Sequence, residues 1–221
     1  VPVFFFVVNI GALQNVAEFA APGFDYKAFQ LPVAIIFAVT GISRASLLVT
    51  DIQDGYFDRL LMTPVHRQAL LLGLMIADFV LVVALSIPVL LLGFAVGVRF
   101  ETGVPGIFLF TLMGALWGLV FTGFPYSIAL KTGNPGAVNS SFILFFPFAF
   151  LTTSFLPQEA LTGWLSAIAT WNPVTYLLAG MRALVSDGWD WTAIGQAFLA
   201  ILAIGALTQT MALLARKGRV A

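Results

Sequence analysis

The chain has 221 residues, of which 60% are apolar and only 9% charged, with a mean hydropathy of +1.01. A soluble domain of this size must present a wetted shell and cannot hide that much apolar surface, so a soluble enzyme and a disordered chain are excluded. Ten basic residues balance ten acidic ones, which leaves no positive field for nucleic acid, and the lack of cysteine excludes disulfide frameworks and thiolate metal sites.

What remains is a polytopic membrane protein. Its spans are marked by intervals without charge, because a charge in hydrocarbon is costly. Residues 1–17, 102–130, 132–158 and 191–215 carry none, 28–50 carries only Arg44, and 68–98 only Asp78. These intervals predict an all-α membrane protein with six transmembrane helices, at about 1–15, 30–50, 70–97, 106–130, 138–157 and 192–214. Runs this long and this uniformly apolar exclude β-barrel strands, which alternate over about ten residues. The first interval is short and opens on Val1, which reads as a span truncated within or just before its start. It lacks the basic leader of a signal peptide. Residues 1–221 then form a single transmembrane domain.

Six spans put both termini on one side. Arg44, Arg59, Arg67, Lys131, Arg216, Lys217 and Arg219 fall on that side, and only Lys27, Arg99 and Arg182 on the other. Seven against three places the C-terminus in the cytoplasm of a plasma (inner) membrane protein. Trp164, Trp171, Trp189 and Trp191 gather on the outer side as an interfacial belt.

Two segments are not simple spans. Residues 51–67 are too long for a turn and too polar to cross. Tyr56, Phe57, Leu60 and Leu61 recur at helical spacing, and Thr63-Pro64 stops the run, which predicts a short amphipathic cytoplasmic helix. Its alternative is a solvated connector whose apolar side rests in headgroups. The second segment, 158–190, holds an uncharged run at 160–181 long enough for another span. Trp164, Trp171, Asn172, Pro173, Thr175 and Tyr176 make its middle interfacial, and Asn172-Pro173 is a turn signal. A seventh span would also throw the basic tail outside. The segment therefore predicts two short helices, about 159–170 and 174–186, that enter the outer leaflet and return.

Asp78 is the acidic residue well inside a span. It reads as a paired structural charge, since a proton relay needs a chain of such groups. His66 is the single histidine and cannot build a metal site alone.

The run Asp54-Gly-Tyr-Phe-Asp-Arg-Leu-Leu-Met-Thr-Pro-Val-His-Arg67 resembles the cytoplasmic loop of ABC-2 type transporter permeases. Gly73-Leu-Met-Ile-Ala-Asp78 is similar to that family's third span. Ser154-Phe-Leu-Pro157, Leu161-Thr-Gly-Trp-Leu165, Trp171-Asn-Pro-Val-Thr-Tyr176 and Met181-Arg-Ala-Leu184 resemble its last outer segment. The likeness covers essentially the whole chain and is strongest to the drug-resistance branch with daunorubicin-exporter-like permeases.

The resemblance implies a half-transporter in the lipid bilayer, a homodimer or paired permease, with each subunit docking a separate ABC ATPase. Export of a drug, lipid or lipid-linked glycan would be driven by ATP and Mg bound to that partner, with no cofactor on this chain. The sequence agrees in that no G-x-x-x-x-G-K-[ST] phosphate loop occurs in it. By the same resemblance, the 51–67 helix is the coupling helix. Tyr56, Phe57, Leu60 and Leu61 enter a cleft on the ATPase, Asp54, Asp58 and Arg59 set register from the rim, and Gly55, Thr63 and Pro64 match the family's loop pattern. Span five lies near the dimer seam, with Asn139 and Ser140 for helix contact and Phe142, Phe145 and Phe146 for cargo or lipid. The outer pair, with Trp164, Trp171, Asn172, Pro173, Tyr176 and Arg182, lids the exit. The competing class is an ATPase-independent channel or secondary transporter, whose usual internal repeats and paired broken helices have no matching sequence blocks here. An intramembrane enzyme lacks its cluster of reactive residues.

Overall fold

A computed structural model of the chain describes residues 2–20, 23–40, 43–56, 59, 62, 67–143 and 145–220. In chain order these form α1 (Pro2–Ala20), α2 (Tyr26–Thr40), α3 (Ala45–Gln53), α4 (Arg67–Ala95), α5 (Gly103–Thr132), α6 (Pro135–Ile143) and α7 (Phe145–Phe150). A 3-10 turn (Gln158–Ala160) then leads to α8 (Gly163–Trp171), α9 (Pro173–Arg182), a π-helical turn (Ala183–Asp187) and α10 (Trp191–Val220). No strand occurs among the described residues.

Among the described residues, four stretches are long and apolar enough to cross a bilayer: Tyr26–Gln53, Gly73–Ala95, Gly103–Thr132 and Trp191–Ala215. They coincide with the expected second, third, fourth and sixth spans. The expected first and fifth coincide with shorter apolar helices, Val3–Phe19 and Pro135–Phe150. The uncharged interval at 132–158 therefore overstates the helix, which ends at Phe150. The Thr152 hydroxyl donates to Ala149 O at 2.6 Å, and the Ser154 hydroxyl to the same oxygen at 3.0 Å. Hydroxyls that serve the local backbone compete with helix continuation, and Pro157 follows.

The helix ends obey local chemistry. Gly133 closes α5 in the left-handed region (φ 57), its N–H returning to Ala129 O. Asn172 begins α9, its Oδ1 accepting Val174 N–H at 3.0 Å, with Pro173 at the first helical position.

α5 is the central helix. Between helices in lipid there is little hydrophobic driving force, so close packing and hydrogen bonds must hold the bundle. Glycines on α5 provide the approaches. A Cβ added at Gly114 would lie 2.8 Å from Ile35 of α2, one at Gly118 3.0 Å from Val82 of α4, and one at Gly123 2.8 Å from the Thr208 backbone of α10. Trp117, fully buried between them, donates its indole N–H to Thr40 Oγ1 at 3.1 Å. The main core joins Leu31, Ile35 and Ile36 of α2, Phe110 and Met113 of α5, Leu177 and Met181 of α9, and Ile201 of α10.

The two helices of the 158–190 segment differ sharply. α9 is buried through Val174, Leu177, Leu178 and Met181, whereas α8 leaves Trp164 and Trp171 exposed. Leu199 and Leu202 of α10, Ile76 and Leu91 of α4 and Phe4 of α1 are also exposed, the outward apolar face that a bilayer accepts and water does not.

Candidate functional site

Among the described residues, three clusters of polar or exposed aromatic groups are built by contacts between helices. The first lies at the end where α3 meets α5 and α6. Leu48, Val49 and Ile52 of α3 pack on Tyr126, Ala129 and Leu130 of α5 and on Val138 of α6. Gln53 Nε2 donates to Gly133 O at 2.9 Å, and Ser46 Oγ to Asn139 Oδ1 at 3.0 Å. Asp54 N–H still bonds to Thr50 O, after which Gly55 turns the chain at φ +69, a conformation L side chains rarely adopt. Tyr56 and Arg59 are helical again, and Arg59 N–H returns to Gly55 O at 3.2 Å. Asp54 and Arg59 are exposed, as are Tyr56 (53%) and Met62 (81%). Phe57, Asp58, Leu60, Leu61, Thr63 and Pro64 lie outside the described residues, as does His66.

Of the proposed seam residues, Asn139 and Ser140 are exposed and Phe146 is half-exposed. Phe142 is half-buried, and Phe145 is buried against Phe37 and Phe121, with ring centroids 6.1 and 5.1 Å away. The outward aromatic face of this segment is Phe146, Phe148 and Phe150.

The second place is the opposite end, where the chain leaves α7. Carbonyls freed there need partners, because hydrocarbon offers none. Asn172 Nδ2 donates to Phe148 O at 2.7 Å and Leu151 O at 3.0 Å. Gln30 Nε2 donates to Ser154 O at 3.0 Å and to the Tyr26 hydroxyl at 2.7 Å. Arg182 gives NH2 to Thr153 O (2.7 Å), NH1 to Thr153 Oγ1 (3.0 Å) and Nε to Phe29 O (3.2 Å), and its guanidinium lies 3.5 Å over the Phe29 ring. That planar fork can satisfy several acceptors at once and stack on the ring as well. Burial pushes the Arg182 pKa down to about 9, so the group stays cationic at neutral pH. Burial and neighbouring Asp190 together push the Asp187 carboxyl up. A cavity of about 620 Å³ opens here, lined among others by Phe24, Phe29, Arg182, Asp187 and Asp190. Tyr176 donates its hydroxyl to Thr170 O at 2.7 Å, tying α9 to α8. Pro173 is half-buried, and Trp164 and Trp171 lie outside this network, exposed on α8.

The third place is Asp78, fully buried on α4. It accepts the Tyr126 hydroxyl at 2.8 Å and the Arg44 backbone N–H at 3.2 Å. Arg44 Nε approaches to 3.8 Å, with that side chain 42% exposed. The expected pairing of Asp78 across the bundle is thus filled mainly by a phenol and a peptide N–H.

Sequence reasoning missed Gln30, Thr153 and Tyr126 because it counted only charges. An amide inside the run Phe29-Gln-Leu-Pro-Val33 was the available signal for Gln30. Among the described residues no group of three or more His, Asp or Glu could hold a metal ion. The side chains of these clusters brace backbone carbonyls and helix starts.

Long apolar helices with a braced polar interior define the class: a multi-pass helical membrane protein. The particular family is settled by comparison. The ABC-2 type transporter pattern matches residues 3–185, and the chain belongs to that family. It is 29% identical over 177 residues to the daunorubicin resistance ABC transporter permease protein DrrB1 of Streptomyces coeruleorubidus, covering 75% of this chain and 61% of that one. It is 23% identical over 188 residues to the probable doxorubicin resistance ABC transporter permease protein DrrC of Mycobacterium tuberculosis (strain ATCC 25618 / H37Rv), covering 85% and 68%. It is 26% identical to the putative transport permease ycf38 of Cyanophora paradoxa, covering 81% and 64%. The chain therefore spans under two thirds of the length of the DrrB1 and ycf38 relatives. No solved structure matches it.

Proposed function

We propose that the chain is the permease subunit of an ATP-driven exporter whose motor is a separate ATPase. In this reading residues 1–221 form one domain, α1 and 135–150 complete a set of six spans, and the C-terminus is cytoplasmic in the inner membrane. Two permeases pair through the segment that carries Asn139 and Ser140. The ATPase docks on residues 54–64 and uses ATP and Mg. The cargo is hydrophobic or amphiphilic, of the drug or lipid kind, and leaves by the end that holds Arg182 and the α8–α9 pair.

The observation that carries the reading is Tyr56. It is an aromatic side chain, 53% exposed, directly after a left-handed glycine at the tip of a firmly packed helix. Exposed aromatic anchors presented on a rigid element are what partner clefts take. The relatives, named as resistance permeases of ABC transporters, support the same assignment.

The test is capture of the tagged chain from its native membrane in mild detergent, with mass spectrometry of what accompanies it. An ATPase with a phosphate-binding loop should co-purify, and the double variant Tyr56→Ala/Phe57→Ala should lose it while still inserting. A lone oligomer with no ATPase across several detergents would instead favour the channel or secondary-transporter class.

A further inference from the structure

α3 begins with one local cap, the Ser43 hydroxyl oxygen accepting the Ala45 N–H at 3.1 Å. Arg44 occupies the capping position, and its side chain makes no capping hydrogen bond. The first N–H groups of any helix lack intrahelical partners, and in an apolar bundle water does not supply them. For the Arg44 N–H the partner comes from another helix. Asp78, on α4 and fully buried, receives the Arg44 N–H on both carboxylate oxygens, at 3.2 and 3.4 Å. Aspartate is among the preferred capping residues, and its charge faces the positive end of the α3 dipole. Tyr126 of α5, itself 2% exposed, donates to Oδ2 at 2.8 Å and fixes the carboxylate. The Arg44 guanidinium is a lesser contributor, at 3.8 Å and 42% exposed.

α5 thus holds the α2–α3 region at two heights. Trp117 bonds the last residue of α2, Thr40, and Tyr126 holds the start of α3 through Asp78. α3 itself spans about 13 Å at 1.5 Å per residue and ends beside Gly55 and Tyr56. A push received at Tyr56 can be absorbed by α3 swinging about its own start, or it can be passed on. A buried, charge-assisted cap shared by three elements opposes the first outcome.

We propose that Asp78 is a positioning residue for coupling: it caps α3 in trans, so that force on the docking segment is delivered to α4 and α5. This deepens the docking assigned to residues 54–64 and rests on it. A carboxylate at full burial, where an apolar residue would pack without desolvation cost, accords with such a role.

The test uses the full chain in lipid nanodiscs and two independent measurements. The first is amide hydrogen exchange and needs no ATPase. Asp78→Val should raise exchange at residues 44–48 by tenfold or more, and Asp78→Asn, which keeps an acceptor but no charge, should raise it less. Tyr126→Phe should raise it least, with α10 amides unchanged throughout. The second is ATP hydrolysis by the captured ATPase. Asp78→Asn should lower kcat several-fold at unchanged KM for ATP, with the ATPase still bound. Unchanged exchange at 44–48 in folded Asp78→Val overturns the trans cap; if that variant does not fold, unchanged exchange in both Asp78→Asn and Tyr126→Phe overturns it. Raised exchange with unchanged kcat overturns the coupling role. Failure of the unaltered chain to hold any ATPase overturns the docking assignment, and the coupling role with it, while the exchange data still decide the cap.

Discussion

At the Arg182 end, the carbonyls of Phe148, Ala149, Leu151, Thr153 and Ser154 each have a side-chain partner as the chain leaves its helix. At the Gly55 end the chain turns on one left-handed glycine and leaves Tyr56 and Met62 exposed. The first end spends Asn172, Arg182, Gln30, Thr152 and Ser154 on its own backbone. The second uses Gln53 and Ser46 to hold α3 to α5 and α6, and presents an aromatic side chain beyond the turn. Irregular backbone at membrane depth must be satisfied by protein, whereas backbone beyond the helix ends can be satisfied by water. The contrast therefore predicts that substitutions break the fold at the first end and spare it at the exposed side chains of the second.

The largest expected effect is at Arg182. Arg182→Ala removes every donor to Thr153 and the cation over Phe29, leaving buried acceptors unpaired at a cost of about 3 kcal/mol or more. Detergent-solubilised protein should lose its monodisperse peak in size-exclusion chromatography. Arg182→Lys should recover part of it, since a point charge cannot reproduce the fork. A monodisperse Arg182→Ala protein of unchanged thermal midpoint would show that the backbone at 148–154 is not braced as described.

Asn172 separates two roles in one side chain. Asn172→Asp keeps the oxygen that caps α9 but loses the nitrogen that serves Phe148 and Leu151. Asn172→Ala loses both. Because Asp sets a carboxylate oxygen against two carbonyl oxygens in a buried site, the order of thermal midpoints should be Asn, then Ala, then Asp, with Ala costing about 2 kcal/mol. An Asp variant as stable as the unaltered chain would mean that the carbonyl contacts carry little of the effect.

Packing provides a third comparison. Gly123→Ala drives a Cβ to 2.8 Å from the Thr208 backbone, which cannot rotate away, and should cost about 1–3 kcal/mol. Gly73→Ala meets nothing within 4 Å and lies in α4, where alanine favours the helix, so its thermal midpoint should hold or rise. Tyr56→Ala belongs with Gly73: an exposed position should shift stability by under about 0.5 kcal/mol. Its loss should appear in ATPase capture alone.

The sequence made the long spans legible because exclusion of charge is their dominant constraint; Gly73–Ala95 and Trp191–Ala215 needed no further information. The Asn172-Pro173 turn was equally plain, and helices at 163–171 and 173–182 flank it close to the expected 159–170 and 174–186. The end of α7 was not legible, since Thr152, Thr153 and Ser154 are uncharged and their bonds to nearby carbonyls leave no trace in a charge count. Asp78 stood out by its charge, but its partners did not. One is a tyrosine forty-eight residues away, the other a peptide N–H, and neither has a sequence signature. The burial of α9 against the exposure of α8 likewise depends on contacts with α10, the next helix, and with α2, which lies far back along the chain.

The smallest expected effect tests the Arg182 end by pH. Asp187 lies beside Asp190, and its carboxyl is raised by burial first and by that neighbour second. A raised carboxyl binds its proton more tightly in the folded state. The folded protein is therefore favoured at acid pH and loses that contribution as pH climbs from the unfolded value, about 3.9, through the folded one. Asp187→Asn removes the charge, so its advantage over the unaltered chain should be present at pH 7 and shrink as pH falls towards 4. Scanning fluorimetry of the two proteins across that range reads the difference directly. A gain that is constant with pH would mean that Asp187 acts through its shape, and that the acidic rim of this cavity carries no electrostatic strain.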